Sequence, residues 1–190
     1  MPAPLISRDE VVRRLFSVFR TYGYEGATLA RLSEATGLGR ASLYHYFPDG
    51  KEGMLRAVLA ATRTWLITSI KGPLEGNGSP SERIRATMKN LAAGYNNGMV
   101  SCLVNLFGVG DAQDVAADDL RETGQAYLAG FASFLRSCGM SASAAHETAL
   151  ETVSQIEGAL VLARALRDRT VFAKCLSRIE KQYIKIARGG

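Results

Sequence analysis

Apolar positions in this chain recur at helical spacing almost from end to end. Val12, Leu15, Phe16 and Phe19 share one face of a first helix, which Ser7 and Glu10 open as a capping box and which runs out near Gly23. Thr28 is a good N-cap for a second helix, where Leu29, Leu32 and Ala35 repeat on one side. Gly37 sits where that helix should stop and can take the left-handed conformation of a helix C-terminus. Leu43 and Phe47 keep the spacing beyond the turn, over a short third helix. A Pro48-Asp49-Gly50 turn then precedes a long helix to about Lys71, with Asp49 as its cap and Leu55, Val58, Leu59, Thr62 and Leu66 as its inner stripe.

Residues 72–81, dense in Gly, Pro and Ser, read as a linker. Ser79 as cap, Pro80 at N1 and Glu82 at N3 start the next helix. Further helices are expected at about 82–97, 100–109, 113–138, 142–166 and 171–187. The apolar run at 100–109 is ambiguous between helix and strand, but nothing alternates long enough to be a convincing strand. The expected class is all-α.

The third helix carries more than core contacts. Its outward residues, Arg40, Ser42, Tyr44 and His45, are a hydrogen-bonding set suited to phosphates and base edges, so the stretch 28–47 reads as a helix-turn-helix that binds DNA. Composition permits this without demanding it. The chain of 190 residues is 47% hydrophobic and 22% charged, which excludes extensive disorder, and its net charge of +5 suits a polyanionic partner. Bases exceed acids over residues 1–57 and acids exceed bases over 111–168, as in a DNA-binding head on a sensing body.

Other chemistry is weakly represented. Cys102, Cys138 and Cys175 are widely spaced, form no C-x-x-C pair and read as buried thiols in a reducing compartment. The opening MPAPLISRDEVV has no basic region followed by an apolar stretch, so no signal peptide is expected. No apolar run approaches the roughly 20 residues that span a bilayer. A cytoplasmic protein is expected. His45 and His146 lack metal-ligand partners, GVGDAQ and GLGRAS fail the G-x-G-x-x-G pattern, and there is no nucleophile elbow or P-loop. No enzyme, metal or cofactor is therefore expected.

From 28 to 52 the sequence resembles the TetR family of transcriptional repressors, through Thr28, Leu32, Ala35, Gly37-Leu38, the LYHYF run at 43–47 and Lys51. The likeness covers residues 8–57, and SCLVNL at 101–106, IEGALVLARALRD at 156–168 and the FPDGK turn look like the LmrA-like branch. It implies an all-α homodimer with a three-helix DNA-binding head at 1–50 and a ligand-binding and dimerisation domain at 51–190. The chain departs from the family at Gly39, where the recognition helix usually has a Ser or Thr cap, so no side-chain phosphate contact is carried over there. FPDGK is also one residue longer than the commonest turn.

Residue chemistry and resemblance together nominate the DNA contacts. Arg40 suits guanine O6 and N7, or a phosphate alone. Ala41 is small enough to let the helix approach the groove, and Ser42 can bond a base or a phosphate. Tyr44, His45 and Tyr46 look like phosphate contacts, although Tyr46 suits a partly buried core role as well. Thr28 and Lys51 would set a helix N-terminus and an ammonium against the backbone. Leu32, Leu43 and Phe47 are core.

In the body, Tyr95, Phe107, Tyr127 and Phe131 are candidate contacts for an apolar or aromatic effector, with core packing the other explanation for each. The small-residue helix at 142–166 and the last helix could form a self-complementary dimer face. The resulting expectation is a sequence-specific DNA-binding transcriptional repressor. A small molecule releases it from an inverted-repeat operator, and no membrane is involved. The alternatives are a cysteine-based redox-sensing regulator and a ligand-independent DNA-binding protein.

Overall fold

The computed structural model describes residues 6–189; the MPAPL that begins the segment read above for a signal peptide lies outside them, as does Gly190. Among the described residues all regular structure is helical, in the order α1 (Arg8–Gly26), α2 (Leu29–Thr36), α3 (Arg40–Tyr46), α4 (Gly50–Leu66), α5 (Pro80–Gly94), α6 (Leu103–Phe107), α7 (Asp111–Val115), α8 (Ala117–Ser137), α9 (Ala142–Ala165) and α10 (Arg169–Ala187). The ambiguous run at 100–109 is thus helical over α6, and the helix expected at 113–138 is divided into α7 and α8. Among the described residues no helix is long and apolar enough to cross a membrane.

Packing divides the chain into two compact units. One runs to Thr62 and adds Leu103–Thr123; the other holds Arg63–Cys102 and Gly124–Gly190. In the first unit, Val11, Leu15 and Phe19 of α1, Leu32 of α2, Leu43 of α3 and Leu55, Val58 and Leu59 of α4 are excluded from solvent. Leu103 and Phe107 of α6 and Ala112 of α7 complete the same core. Burying a set of this size is the main force holding the head together.

Local signals explain most helix ends. Ser7 Oγ accepts from the Glu10 amide at 3.2 Å, but the reciprocal half of the expected capping box is missing, because the Glu10 carboxylate binds Arg13 and Arg14 instead. These two guanidiniums lower its pKa to about 2. At Gly23, φ of 68° breaks α1 where the apolar face ran out, and one further turn carries it to Gly26. Thr28 caps α2 by accepting from the Arg31 amide, and Gly37, at φ 72°, closes it in the left-handed conformation. Ser79 and Glu82 form a complete capping box at the start of α5. Glu25 accepts from the Asp111 amide at 3.1 Å and so supplies the first turn of α7 with a partner from α1.

Two expectations fail on geometry. Ala35 is exposed, and the buried third member of the α2 stripe is Thr36, whose hydroxyl donates to the Leu32 carbonyl at 2.7 Å. The linker expected from 72 begins later, because α4 continues through a wide π turn (Ile67–Lys71) and a last turn (Gly72–Leu74). Gly72 N–H reaches back five residues to the Ile67 carbonyl. The cause is legible in the burial pattern: Val58, Thr62, Leu66, Ile70 and Leu74 are all buried at intervals of four. In a regular helix each such step drifts by about 40°, and a wider turn takes up the drift.

In the second unit, α10 packs on both α5 and α9. Phe172, Leu176, Ile179 and Tyr183 are the buried face of α10, while Lys174, Arg178, Lys181, Lys185 and Arg188 are exposed, as the sequence pattern indicates. Tyr183 and Thr152 share a buried hydroxyl–hydroxyl bond of 2.9 Å between α10 and α9.

Candidate nucleic-acid interface and a buried polar cluster

α3 is a short helix held by its neighbours. Leu43 and Phe47 bury into the head core, and Gly37 turns the chain from α2 into it. The turn is braced: Ser33 Oγ donates to the Leu38 carbonyl, and Arg14 Nη1 of α1 donates to the Thr36 carbonyl at 2.9 Å. Gly39 occupies the N-cap in an extended conformation, with no side-chain cap bond. What α3 leaves outward is Arg40, Ala41, Ser42, Tyr44 and His45, all exposed. Arg40 makes no ion pair among the described residues. A helix offering a free guanidinium, a hydroxyl, a phenol and an imidazole beside the small Ala41 has the donor set and the slimness that a major groove requires.

The remaining candidates lie around this face in less open settings. Tyr44 is 45% exposed and its ring lies over Gly50, where a Cβ would fall 3.1 Å from it. Tyr46 is half-buried, and its hydroxyl donates to the Ile6 carbonyl at 2.7 Å, tying α3 to the start of α1. Its partly buried role is therefore occupied, and a phosphate would have to displace that bond. Thr28 is exposed with its hydroxyl engaged as the α2 cap. Lys51 Nζ sits 4.1 Å over the Tyr24 ring, a cation–π contact that parks the ammonium near the first turn of α4.

The structure separates the four body candidates. Phe107 belongs to the head core, edge-on to Phe19 at 6.0 Å and fully buried. Tyr95, Tyr127 and Phe131 lie in the second unit, in two sets of ring contacts: Trp65 with Tyr95 at 5.4 Å and Tyr95 with Phe172 at 6.0 Å, and separately Tyr127 with Phe131 at 6.3 Å. Asn105 is exposed on α6.

Sequence reasoning missed the most unusual feature of that unit. Both carboxylate oxygens of Glu157, on α9, are sealed from solvent without a hydrogen bond, and so is the Tyr127 hydroxyl. Burial pushes the Glu157 carboxyl up from its ordinary range, with the nearby Cys102 thiol and Arg164 charge acting against it. Burial also pushes the Tyr127 phenol far up, and the Glu157 charge adds to the shift. Tyr95 is raised by burial first and then by the Tyr127 and Cys102 groups, so these side chains form one electrostatic cluster.

Comparison with known proteins decides the family. The sequence model for bacterial regulatory proteins of the tetR family matches residues 13–58, and that for the C-terminal domain of LmrA/YxaF-like transcriptional regulators matches residues 80–178. The chain belongs to the TetR family. As a TetR-family protein of the LmrA/YxaF-like branch it is a DNA-binding transcriptional regulator and not an enzyme. It is 25% identical over 173 residues to the transcriptional regulator LmrA of Bacillus subtilis, covering 86% of this chain and 89% of that one. Its identity to the repressor AcnR of Corynebacterium efficiens is 34% over 80 residues, 38% of this chain and 43% of that one. A TetR regulator from Legionella pneumophila superposes with a TM-score of 0.82 at 19% identity, over 96% of this chain and 99% of that one. The regulator CifR, solved as a cysteine mutant with 26 bp operator DNA, does so with 0.72 at 24% identity, over 100% and 99%. These two show the TetR fold.

Proposed function

We propose that this TetR-family chain is a homodimeric repressor whose α3 reads an inverted-repeat operator, and whose second unit takes a small effector that weakens DNA binding. The outer face of α3 carries the reading: five exposed residues, Arg40 foremost, on a helix fixed by Leu43, Phe47 and the Arg14 brace. Arg40 reads a base edge, Ser42 and Ala41 permit close approach, and Tyr44 and His45 meet phosphates. Thr28, Tyr46 and Lys51 bound the footprint on the backbone side. In a dimer two such helices must stand about 34 Å apart to meet successive major grooves, so a modest rearrangement suffices to lose one. An effector that binds the DNA-incompetent arrangement more tightly produces that loss by linkage.

The dimer face is assigned to α9 and α10. Val161, Leu162 and Leu166 are 42%, 53% and 64% exposed, which is a large apolar surface for a lone chain. A groove beside them is lined by Gly158, Ala159, Leu162 and Val171 together with polar side chains including Lys174 and Arg178, and a Cβ at Gly158 would meet nothing within 4 Å. A redox reading is less well supported, since Cys102 is sealed from solvent and burial raises the Cys175 thiol, the reverse of what a thiolate sensor needs.

Selection of bound sequences from random DNA tests the proposal. An inverted repeat should emerge, and Arg40→Ala should lose about 1–3 kcal/mol at one base pair per half-site and relax specificity there. Equal weakening on selected and random DNA would reduce Arg40 to a phosphate contact. No enrichment at all would overturn the repressor reading.

A further inference from the structure

We propose that the second unit holds a site for a ligand that joins a protonated amine to an aromatic or apolar body, with Glu157 as counter-ion and the Tyr127 hydroxyl as second polar contact. This rests on the reading that the effector binds in this unit, and it names the effector's chemistry. A buried carboxylate is strongly unfavourable unless it is paired and hydrogen-bonded, and a buried phenol without a partner adds to the cost. Glu157 and Tyr127 both stand in that condition within one electrostatic cluster. A leucine or glutamine at 157 would pack with less penalty; the Cys102 thiol lies against the carboxyl without bringing a charge, and no cation of the chain forms an ion pair with it among the described residues.

The surroundings define that partner. The nearest cationic side chain felt by Glu157 is Arg164, whose Nη1 instead donates to the Val100 carbonyl at 3.4 Å. The Cys102 thiol and Tyr95 hydroxyl are the other polar neighbours, and neither brings a positive charge. Beside them lie the ring of Tyr95, which meets Trp65 edge-on, and that of Phe131, tilted against Tyr127. Aromatic faces attract a cation and bury an apolar body, while a carboxylate attracts the cation and accepts its N–H bonds. A neutral or anionic ligand would leave Glu157 uncompensated.

The test uses the full-length protein without DNA and 1-naphthylmethylamine against its neutral partner 1-naphthalenemethanol. Binding is read by the fluorescence of Trp65, the single tryptophan, whose ring meets Tyr95 edge-on. The amine should bind at least tenfold more tightly than the alcohol. Glu157→Gln, close in shape, should erase that preference, and Tyr127→Phe should weaken both ligands modestly while the preference survives. Circular dichroism of each variant confirms that it is folded. Equal affinity for amine and alcohol, an amine preference that survives Glu157→Gln, or no binding by either would overturn the site. Adding the amine to the protein–operator complex separates the two readings. Amine binding without release of DNA leaves the site standing and counts against its regulatory role.

Discussion

Gly39 is the position where a small change should be easiest to read. It caps α3 with φ −67° and ψ 162°, an extended conformation open to any residue, and a Cβ there meets nothing within 4 Å. Serine therefore enters without strain, and its Oγ can accept from the amide of Ala41 or Ser42, which have no capping side chain at present. Relative to Gly, a serine cap is better by a few tenths of a kcal/mol, whereas alanine, with no acceptor, is worse. The useful quantity is the gap between Gly39→Ser and Gly39→Ala, about 1 kcal/mol in favour of serine. In a chain of this length that is a difference in Tm of about 2–4 °C. Denaturant titration gives the free energy directly, and hydrogen exchange should show slower exchange at the Ala41 or Ser42 amide in the serine variant alone. If the two variants melt together, the hydroxyl does not cap, and α3 is held wholly by Leu43, Phe47 and the Arg14 brace. On selected DNA the serine variant should bind more tightly than the alanine one if this end of α3 faces a phosphate.

The other expectations are simpler. Phe107→Ala should cost about 3–5 kcal/mol of stability, because it empties a fully buried position in the head core, without changing ligand affinity in the second unit; differential denaturation and ligand titration check both halves. Glu10 has a depressed pKa in the folded head, so its contribution is present above the ordinary value of 4.5 and fades as pH falls from there to about 2. Glu10→Gln should flatten the melting temperature across that window while leaving the loss from other carboxylates in place. Leu162→Glu puts a charge on the exposed apolar face of α9 and should shift sedimentation from dimer to monomer, with folding unchanged by circular dichroism. Lys51→Ala should lower the salt slope of DNA binding by about one if the ammonium leaves Tyr24 for a phosphate, and should leave it unchanged if the cation–π contact persists.

What the sequence disclosed follows the range of the forces involved. Thr28, Gly37 and the Ser79–Glu82 box act over three or four residues, so their roles were visible in the letters alone. Glu10 shows the limit even there: its spacing from Ser7 suits a capping box, yet Arg13 and Arg14 outbid the backbone amide for its carboxylate. Phe107 needed Phe19 to be placed, and that partner is far away along the chain, so its aromatic character suggested a ligand wall when it fills the head core. Glu157 gave no local signal at all. It stands among Ser154, Gln155 and Gly158, which are exposed, and only packing depth distinguishes it from a residue on a solvated face. The exposed face of α3 was legible because short polar helices with a buried Leu43 and Phe47 leave few choices of orientation.

The wide turn at Ile67–Lys71 has a consequence for descent. It makes one residue of α4 supernumerary, held in a bulge that the rest of the helix does not need. Losing a single codon there would let the helix close into regular geometry, with Leu74 beyond the turn keeping its buried place while the backbone bonds find new partners. The same loss at Leu55 or Leu59 would rotate fully buried core residues out of the head. Among related genes, one-residue gaps within α4 should therefore collect at this turn.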